Sequence, residues 1–127
     1  MIKLLFLMLL CHIIDDFVLQ SLCLSNLKQR EWWEKNAPDP MYKYDYITAL
    51  GIHALSWAIM INLPIILFLS VSNLALGISV FGNGAIHYIV DNLKANKHKI
   101  NLGVDQGIHI IQVIITWVIF LTITSIK

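Results

Sequence analysis

The sequence predicts an all-α protein, an antiparallel bundle of four membrane-spanning helices that encloses a site of histidine and aspartate side chains. Hydrophobic residues make up 57% of the 127 positions and charged residues only 13%, whereas soluble domains usually carry about 25% charged residues. Four apolar stretches of about 20 residues or more are each long enough to cross a bilayer core. Histidine and aspartate residues recur inside these stretches. The length favours a single domain over residues 1–127.

The predicted membrane spans are residues 2–24, 47–69, 74–93 and 102–126. The first begins like a signal peptide, but no small-x-small cleavage site follows, so we expect an uncleaved helix. Pro64 falls inside the second span and is expected to bend it, since membrane helices tolerate proline. Gly77 and Gly84 in the third span are expected to let a neighbouring helix approach closely.

The basic residues predict how the chain is oriented in the membrane. Residues 25–45 hold four lysines and arginines and residues 94–101 hold three, which leaves only Lys3 and Lys127 of the nine on the other side. Because cytoplasmic loops are enriched in Lys and Arg, these two loops are predicted to be cytoplasmic. Four spans then place both termini outside.

The strongest functional signal is a repeated spacing of four residues between a histidine and an aspartate. The pairs are His12 and Asp16, His87 and Asp91, and, in reverse order, Asp105 and His109. Residues at i and i+4 share a helix face, so three helices each offer an imidazole beside a carboxylate. Ionisable residues within membrane spans are rare and indicate functional sites.

A fourth histidine, His53, lies on the remaining helix at a matching depth. His53, His87 and His109 each lie about seven residues from the predicted cytoplasmic end of their span, or roughly 10 Å. In an α-helix Asp15 would point about 100° away from Asp16, so only Asp16 is expected to face the site. The predicted common pocket contains seven candidate metal ligands: His12, Asp16, His53, His87, Asp91, Asp105 and His109.

These side chains could hold one or two divalent metal ions, and zinc is the expected metal. Catalytic Zn²⁺ takes His and Asp or Glu ligands and keeps a position for water, and two-metal sites stabilise both oxygens of a phosphoester displacement. The expected catalytic carboxylates are Asp16, Asp91 and Asp105. The expected substrate-binding residues are Gln20, which continues the His12–Asp16 face, Lys94, which could meet a phosphate or headgroup, and Gln106.

Four ordered motifs resemble the signature of a known family. They are His12-x-x-x-Asp16-Phe17-x-Leu19-Gln20, His53-Ala54-Leu55, His87-x-x-x-Asp91-x-x-Lys94 and Asp105-Gln106-x-x-His109. Together they resemble the domain of unknown function 3307 family of small bacterial and phage membrane proteins, which implies a bacterial inner membrane but no activity. Members often carry a second histidine four residues after the one matching His53. Trp57 stands there in this chain and removes one possible ligand.

More distantly, the paired His-x-x-x-acid motifs are similar to those of zinc-dependent phospholipase C, P1-type nucleases and membrane-bound metal-dependent hydrolases. This similarity implies phosphoester hydrolysis, so the leading hypothesis is a metal-dependent membrane hydrolase. Its substrate would be a phosphate-containing lipid or headgroup near the cytoplasmic leaflet.

Two other functions stay open at the level of sequence. One is a proton or cation transporter or channel component that uses the same His/Asp cluster. The other is a phage or host membrane accessory protein without enzymatic activity. The expected partners are the lipid bilayer and a lipid substrate, with a homo-oligomer left open. The net charge of +1 argues against nucleic acid.

Overall fold

The structure is a computed structural model that describes residues 1–125. The described residues form helices and no β-strand, which confirms the predicted all-α class. The α-helices are α1 (Ile2–Ile14), α2 (Leu22–Leu27), α3 (Arg30–Asn36), α4 (Asp45–Phe68), α5 (Asn73–Ala95) and α6 (Leu102–Ser125). A π-helical turn, Asp15–Leu19, follows α1, and a 3-10 turn, Pro40–Tyr42, precedes α4.

Three helical segments are long and apolar enough to cross a membrane: Pro40–Phe68, Asn73–Ala95 and Leu102–Ser125. They correspond to the predicted spans 47–69, 74–93 and 102–126. α4 continues through Pro64, which is buried. Large hydrophobic side chains such as Leu74, Phe81 and Ile119 are exposed on the outer surface. Long apolar helices with an apolar exterior are compatible with a membrane protein.

The first predicted span, residues 2–24, is not one continuous helix. α1 has 13 residues and is therefore about 20 Å long, short of a bilayer core of about 30 Å. The π-helical turn follows, Gln20 is extended, and the Ser21 side chain caps α2 by accepting a hydrogen bond from Leu24 N at 3.2 Å. The described residues therefore include three helices of membrane-spanning length, whereas four spans were expected.

The core lies where α1, α4, α5 and α6 meet. Its buried apolar residues are Leu4, Met8, Trp57, Ala58, Ile61, Ile65, Val113 and Phe120. Gly84 lies against α4, since a Cβ atom there would be 3.6 Å from both Ala54 O and Ala58 Cβ. The expected close approach thus occurs at Gly84. It does not occur at Gly77, where a Cβ atom would have no neighbour within 4 Å.

Candidate metal centre

Asp15 and Asp16 both face the interior, although only Asp16 was expected to do so. They begin the π-helical turn, in which Gln20 N donates to Asp15 O at 2.9 Å. A π turn contains more residues than an α turn, so adjacent side chains diverge less than the 100° assumed for an α-helix. Asp15 is 1% exposed, and its Oδ1 accepts a hydrogen bond from Ser56 Oγ at 2.7 Å. The site therefore contains a carboxylate that the sequence interpretation left out.

Three histidines meet in the interior, one from each long helix. His53 on α4, His87 on α5 and His109 on α6 are almost completely buried. The rings of His87 and His109 stack with centroids 4.0 Å apart, and the His53 ring lies 5.0 Å from that of His87. The structure thus brings together the three histidines for which the sequence predicted a common depth.

The carboxylates approach these imidazoles at distances too long for hydrogen bonds. Asp16 Oδ1 lies 3.5 Å from His53 Nε2 and 3.9 Å from His87 Nε2. Asp91 Oδ2 lies 3.5 Å and 3.9 Å from the same two nitrogens. Hydrogen bonds between N and O usually measure 2.7–3.2 Å. Two ligands bound tetrahedrally to one zinc ion lie about 3.4 Å apart, so the observed spacing is closer to that of shared metal ligands.

Two groups of ligand atoms could each hold a metal ion. One consists of Asp16, His53 and His87, and the other of His87, Asp91 and His109, with the ligand atoms in each group within 4.8 Å of one another. His87 belongs to both groups. Five of the seven predicted ligands therefore converge on one region.

Each carboxylate of the cluster has one oxygen bonded to a partner outside the imidazole group. The four hydrogen bonds are Ser56 Oγ to Asp15 Oδ1 at 2.7 Å, Gln106 Nε2 to Asp16 Oδ2 at 2.9 Å, Lys28 Nζ to Asp91 Oδ2 at 2.5 Å and Lys94 Nζ to Asp105 Oδ2 at 2.5 Å. In metalloproteins, hydrogen bonds of this kind to the oxygen that does not bind the metal fix the orientation of the carboxylate ligand.

Three of the four carboxylates leave their other oxygen without a hydrogen-bond partner. Within residues 1–125, the buried side-chain atoms without one are Asp15 Oδ2, Asp16 Oδ1, Asp105 Oδ1, both ring nitrogens of His87, and His109 Nε2. All of them are carboxylate oxygens or imidazole nitrogens. A buried polar group left unpaired costs about 1–3 kcal/mol, and a bound cation would satisfy several of these atoms at once. The donor set therefore fits a metal ion.

The net charge of the cluster also favours a bound cation. Four aspartates and two lysines leave two negative charges when the histidines are neutral. Buried charge needs a partner of opposite sign. One divalent cation would neutralise the cluster, and so would protons on two of the histidines.

Comparison with protein-family models matches residues 4–127 to the family described as protein of unknown function (DUF3307). The chain belongs to the DUF3307 family. The resemblance drawn from its four motifs is thereby confirmed over nearly the whole chain. Neither the curated proteins nor the solved structures give a match.

His12 lies beside the cluster of this DUF3307 protein but belongs to neither ligand group. Its Nδ1 accepts a hydrogen bond from Trp57 Nε1 at 2.9 Å and lies 3.7 Å from an Asp16 oxygen. Trp57 also stacks on His87 with ring centroids 4.3 Å apart. The tryptophan that follows His53 by four residues therefore orients His12 and covers one face of His87.

Lys28 is the cationic residue that the sequence interpretation missed. It was counted as a loop residue, yet it is 2% exposed, and its Nζ donates to Asp91 Oδ2 and, at 2.8 Å, to Gln20 Oε1. The break after the π-helical turn lets α2 fold back and deliver Lys28 to the cluster. Lys28 and Lys94 both donate to carboxylates of the cluster. Of the seven loop lysines and arginines used to predict the orientation in the membrane, five therefore lie outside the cluster.

The predicted substrate-binding residues all bond to groups of this DUF3307 protein itself. Gln20 accepts from Lys28, and Lys94 donates to Asp105. Gln106 Nε2 donates to Asp16 at 2.9 Å and to Asp105 at 3.2 Å. Asp105 Oδ1 lies 3.5 Å from His109 Nε2, but Asp105 is in neither ligand group. These contacts support a role in orienting the carboxylates, directly for Lys94 and Gln106 and through Lys28 for Gln20.

Proposed function

We propose that this DUF3307 protein is a multi-pass membrane metalloenzyme that hydrolyses a phosphate-containing lipid or headgroup near the cytoplasmic leaflet. In the proposed arrangement α1 with its π-helical turn is the fourth member of an antiparallel bundle with α4, α5 and α6. The observation that carries the proposal is that, within residues 1–125, the buried side-chain atoms without a hydrogen-bond partner are all imidazole nitrogens or carboxylate oxygens of this cluster. Such a set is chemically suited to a divalent cation.

His53, His87 and His109, together with Asp16 and Asp91, would hold a single divalent ion, with zinc the expected metal. The sharing of His87 between both ligand groups and the two excess negative charges favour one ion over two. When bound, such an ion polarises a phosphoryl oxygen and lowers the pKa of water.

Asp105 is the carboxylate best placed to hold a proton during the reaction. Its Oδ1 has no hydrogen-bond partner, while Lys94 fixes its Oδ2. General bases need a free oxygen in reach of the reacting group. Asp105 Oδ1 lies 3.5 Å from His109 Nε2, beside the proposed ligands, and would take a proton from the attacking water.

The substrate phosphate would approach from the side of Lys94. The Lys94 side chain is 28% exposed, whereas that of Lys28 is 3% exposed. A lysine ammonium binds phosphate as a point charge. Lys94 can therefore exchange its contact with Asp105 for one with the substrate, while Gln106 Nε2 still donates to Asp105 Oδ2 and Lys28 stays bonded to Asp91.

The test is release of phosphate-containing headgroups from defined phospholipids by the purified full chain in nanodiscs. Wild-type protein supplied with zinc or manganese should release product, and Asp105→Asn should lose activity while keeping its metal. Glu34→Gln, which alters an exposed carboxylate paired with Arg30, is the matched control and should act like wild type. Metal-loaded wild-type protein that releases nothing from any anionic or zwitterionic phospholipid would overturn the hydrolase proposal.

A second candidate, proton or cation transport, is favoured by a chain of hydrogen bonds that leaves the cluster. It runs from His109 Nδ1 to Gln112 Oε1 (3.1 Å), from Gln112 Nε2 to Asn83 Oδ1 (3.3 Å), from Asn83 Nδ2 to Ser79 Oγ (3.2 Å) and from Ser79 Oγ to Asn62 Oδ1 (2.7 Å). Asn62 lies nine residues beyond His53 on α4, about 13 Å along the helix. Ionisable residues inside membrane helices mark ion pathways and proton relays, and the amide and hydroxyl groups of this chain would line a path for ions or water that leads to the cluster.

Flux measured in proteoliposomes with an internal pH dye separates the two candidates. Proton transport requires dissipation of an imposed pH gradient, and cation transport requires dissipation of an imposed cation gradient, followed with a cation-sensitive dye. Asn83→Leu should abolish either flux without removing metal. Asn36→Leu, at an exposed residue on α3, is the control. Absence of flux in wild-type proteoliposomes would remove the second candidate.

A further inference from the structure

Gln112 is a buried glutamine on α6 that contacts a histidine of the candidate metal centre. It is 6% exposed, and its Oε1 lies 3.1 Å from His109 Nδ1. The other ring nitrogen of this histidine, Nε2, lies 3.5 Å from Asp105 Oδ1 and 3.8 Å from Asp91 Oδ1. Gln112 therefore contacts one nitrogen of the ring, while the carboxylates of the cluster lie beside the other.

The amide of Gln112 satisfies its hydrogen bonds in one orientation only. Its Nε2 donates to the backbone oxygen Asn83 O at 3.2 Å and to Asn83 Oδ1 at 3.3 Å. A backbone carbonyl oxygen can only accept hydrogen bonds, so a flipped amide would turn Oε1 toward Asn83 O and bring two acceptors together. Oε1 is therefore the atom beside His109, and it can only accept there.

The side chain of Asn83 is held in a matching orientation by a second backbone carbonyl, on α4. Asn62 Nδ2 donates to Ala58 O at 2.8 Å, which leaves Asn62 Oδ1 to accept from Ser79 Oγ at 2.7 Å. A hydroxyl group has a single hydrogen to donate, so Ser79 Oγ accepts from Asn83 Nδ2 at 3.2 Å. Asn83 Oδ1 then faces Gln112 as an acceptor. Every hydrogen bond of the series thus has a fixed direction.

These directions determine which nitrogen of His109 carries a proton. Because Gln112 Oε1 can only accept, the hydrogen bond between them requires a proton on His109 Nδ1. The distance of 3.1 Å lies within the usual range of hydrogen bonds, whereas the distances from Nε2 to the carboxylates do not. A neutral imidazole has one N–H, so Nε2 keeps a free lone pair. Within residues 1–125, this nitrogen is one of the buried side-chain atoms without a hydrogen-bond partner.

His12 shows the opposite arrangement. Trp57 Nε1 donates to His12 Nδ1 at 2.9 Å, and an indole N–H can only donate. The proton of a neutral His12 is therefore on Nε2, and the lone pair of Nδ1 is already bonded to Trp57. This agrees with the position of His12 outside both ligand groups.

We propose that Gln112 is a positioning residue that holds the proton of His109 on Nδ1 and so keeps Nε2 free to bind a metal ion. Metal-binding histidines commonly donate their other ring N–H to an outer acceptor, which fixes the tautomer and the ring orientation. The metal ion rests on the proposed function, whereas the tautomer does not. The amide and hydroxyl groups that connect α4, α5 and α6 support the site by holding the Gln112 amide in place.

Nitrogen NMR of the histidine side chains tests the tautomer in the metal-free full chain in nanodiscs. At a pH alkaline enough for neutral rings, we expect the proton of His109 on Nδ1 and that of His12 on Nε2. Gln112→Met removes the acceptor with little change in volume, so the His109 proton should move to Nε2, beside Asp105. A wild-type His109 with its proton on Nε2 would overturn the proposal, and so would a Gln112→Met protein with the proton still on Nδ1.

Zinc affinity, measured by competition with a chromogenic chelator, separates positioning of His109 from general support of the fold. Gln112→Met should weaken zinc binding by about 10–100-fold, the usual effect of losing such an outer partner. Thr116→Val is the matched control. Thr116 is 5% exposed on the same helix and bonds to Asn83 at 2.9 Å, and its loss leaves the bond from Gln112 to Asn83 O in place.

Thr116→Val should bind zinc like wild type. An equal loss of affinity in both variants would show that the polar network supports only the fold, and would overturn the proposal. Failure of the proposed function looks different. Wild-type protein that binds no zinc but carries the His109 proton on Nδ1 would refute the metal centre while supporting the hydrogen bond assigned to Gln112.

Discussion

Lys28 Nζ donates a hydrogen bond to Asp91 Oδ2 at 2.5 Å, although 63 residues separate the two in sequence. Both side chains are buried, and the contact joins the end of α2 to α5. Two further hydrogen bonds hold residues 28–30 against the end of α5. Asn96 Nδ2 donates to Lys28 O at 3.0 Å, and Arg30 N donates to Asn96 Oδ1 at 2.7 Å. Lys28 therefore ties the chain that follows the π-helical turn to the His/Asp cluster.

Lys28→Met should destabilise the protein by about 3 kcal/mol, because removing one partner of a buried ion pair is strongly destabilising and leaves Asp91 only the more distant Lys94 Nζ, 3.7 Å from its Oδ1. A divalent metal should restore part of the loss by supplying positive charge beside Asp91. Thermal unfolding with and without zinc measures both effects, and Lys97→Met in the connection between α5 and α6 is the control. A Lys28→Met protein as stable as wild type without metal would refute this role for Lys28.

Ser56→Ala should destabilise the protein by about 1–3 kcal/mol, the usual cost of leaving a buried acceptor unsatisfied. The acceptor is Asp15 Oδ1, 2.7 Å from Ser56 Oγ. Ser25→Ala, on the short helix α2, should change stability little, and chemical or thermal unfolding compares the two. Equal stability of both variants would show that Asp15 does not depend on Ser56.

Gly84 should accept alanine but not leucine. An alanine Cβ would be in ordinary van der Waals contact with α4, 3.6 Å from Ala54 O, and would gain up to about 1 kcal/mol of helix propensity. A leucine would overpack the same contact and cost about 1–3 kcal/mol. Gly77→Leu is the control, and thermal unfolding of the three variants ranks their stabilities. A Gly84→Leu protein as stable as Gly77→Leu would contradict the close packing of α4 and α5.

The sequence predicted the long helices and much of the cluster because both follow from simple periodicity. Apolar runs of membrane-spanning length mark α4, α5 and α6, and the i, i+4 spacing places His87 beside Asp91 on a regular helix. The same reasoning failed at Asp15, since it assumed α-helical geometry where the chain forms a π-helical turn. In that turn Asp15 lies against Ser56 on α4, a tertiary contact that sequence spacing does not show.

The burial of Lys28 was not predicted from the sequence, for a related reason. A lysine in a polar segment ordinarily indicates a solvated loop, and its burial depends on the fold-back at Gln20 and Ser21. Trp57 illustrates a different limit. Its place in an apolar helix suggests packing alone, yet its indole nitrogen donates to His12, a contact that depends on how α1 and α4 are aligned.

Metal content after mild purification tests the central claim most directly. We predict about one divalent transition-metal ion per wild-type chain, in keeping with a single site of imidazole and carboxylate ligands. His87→Ala should remove the ion, because His87 belongs to both ligand groups, whereas His98→Ala, at an exposed histidine, should retain it. Wild-type protein that contains no transition metal, and that gains no thermal stability from added zinc or manganese, would contradict the account.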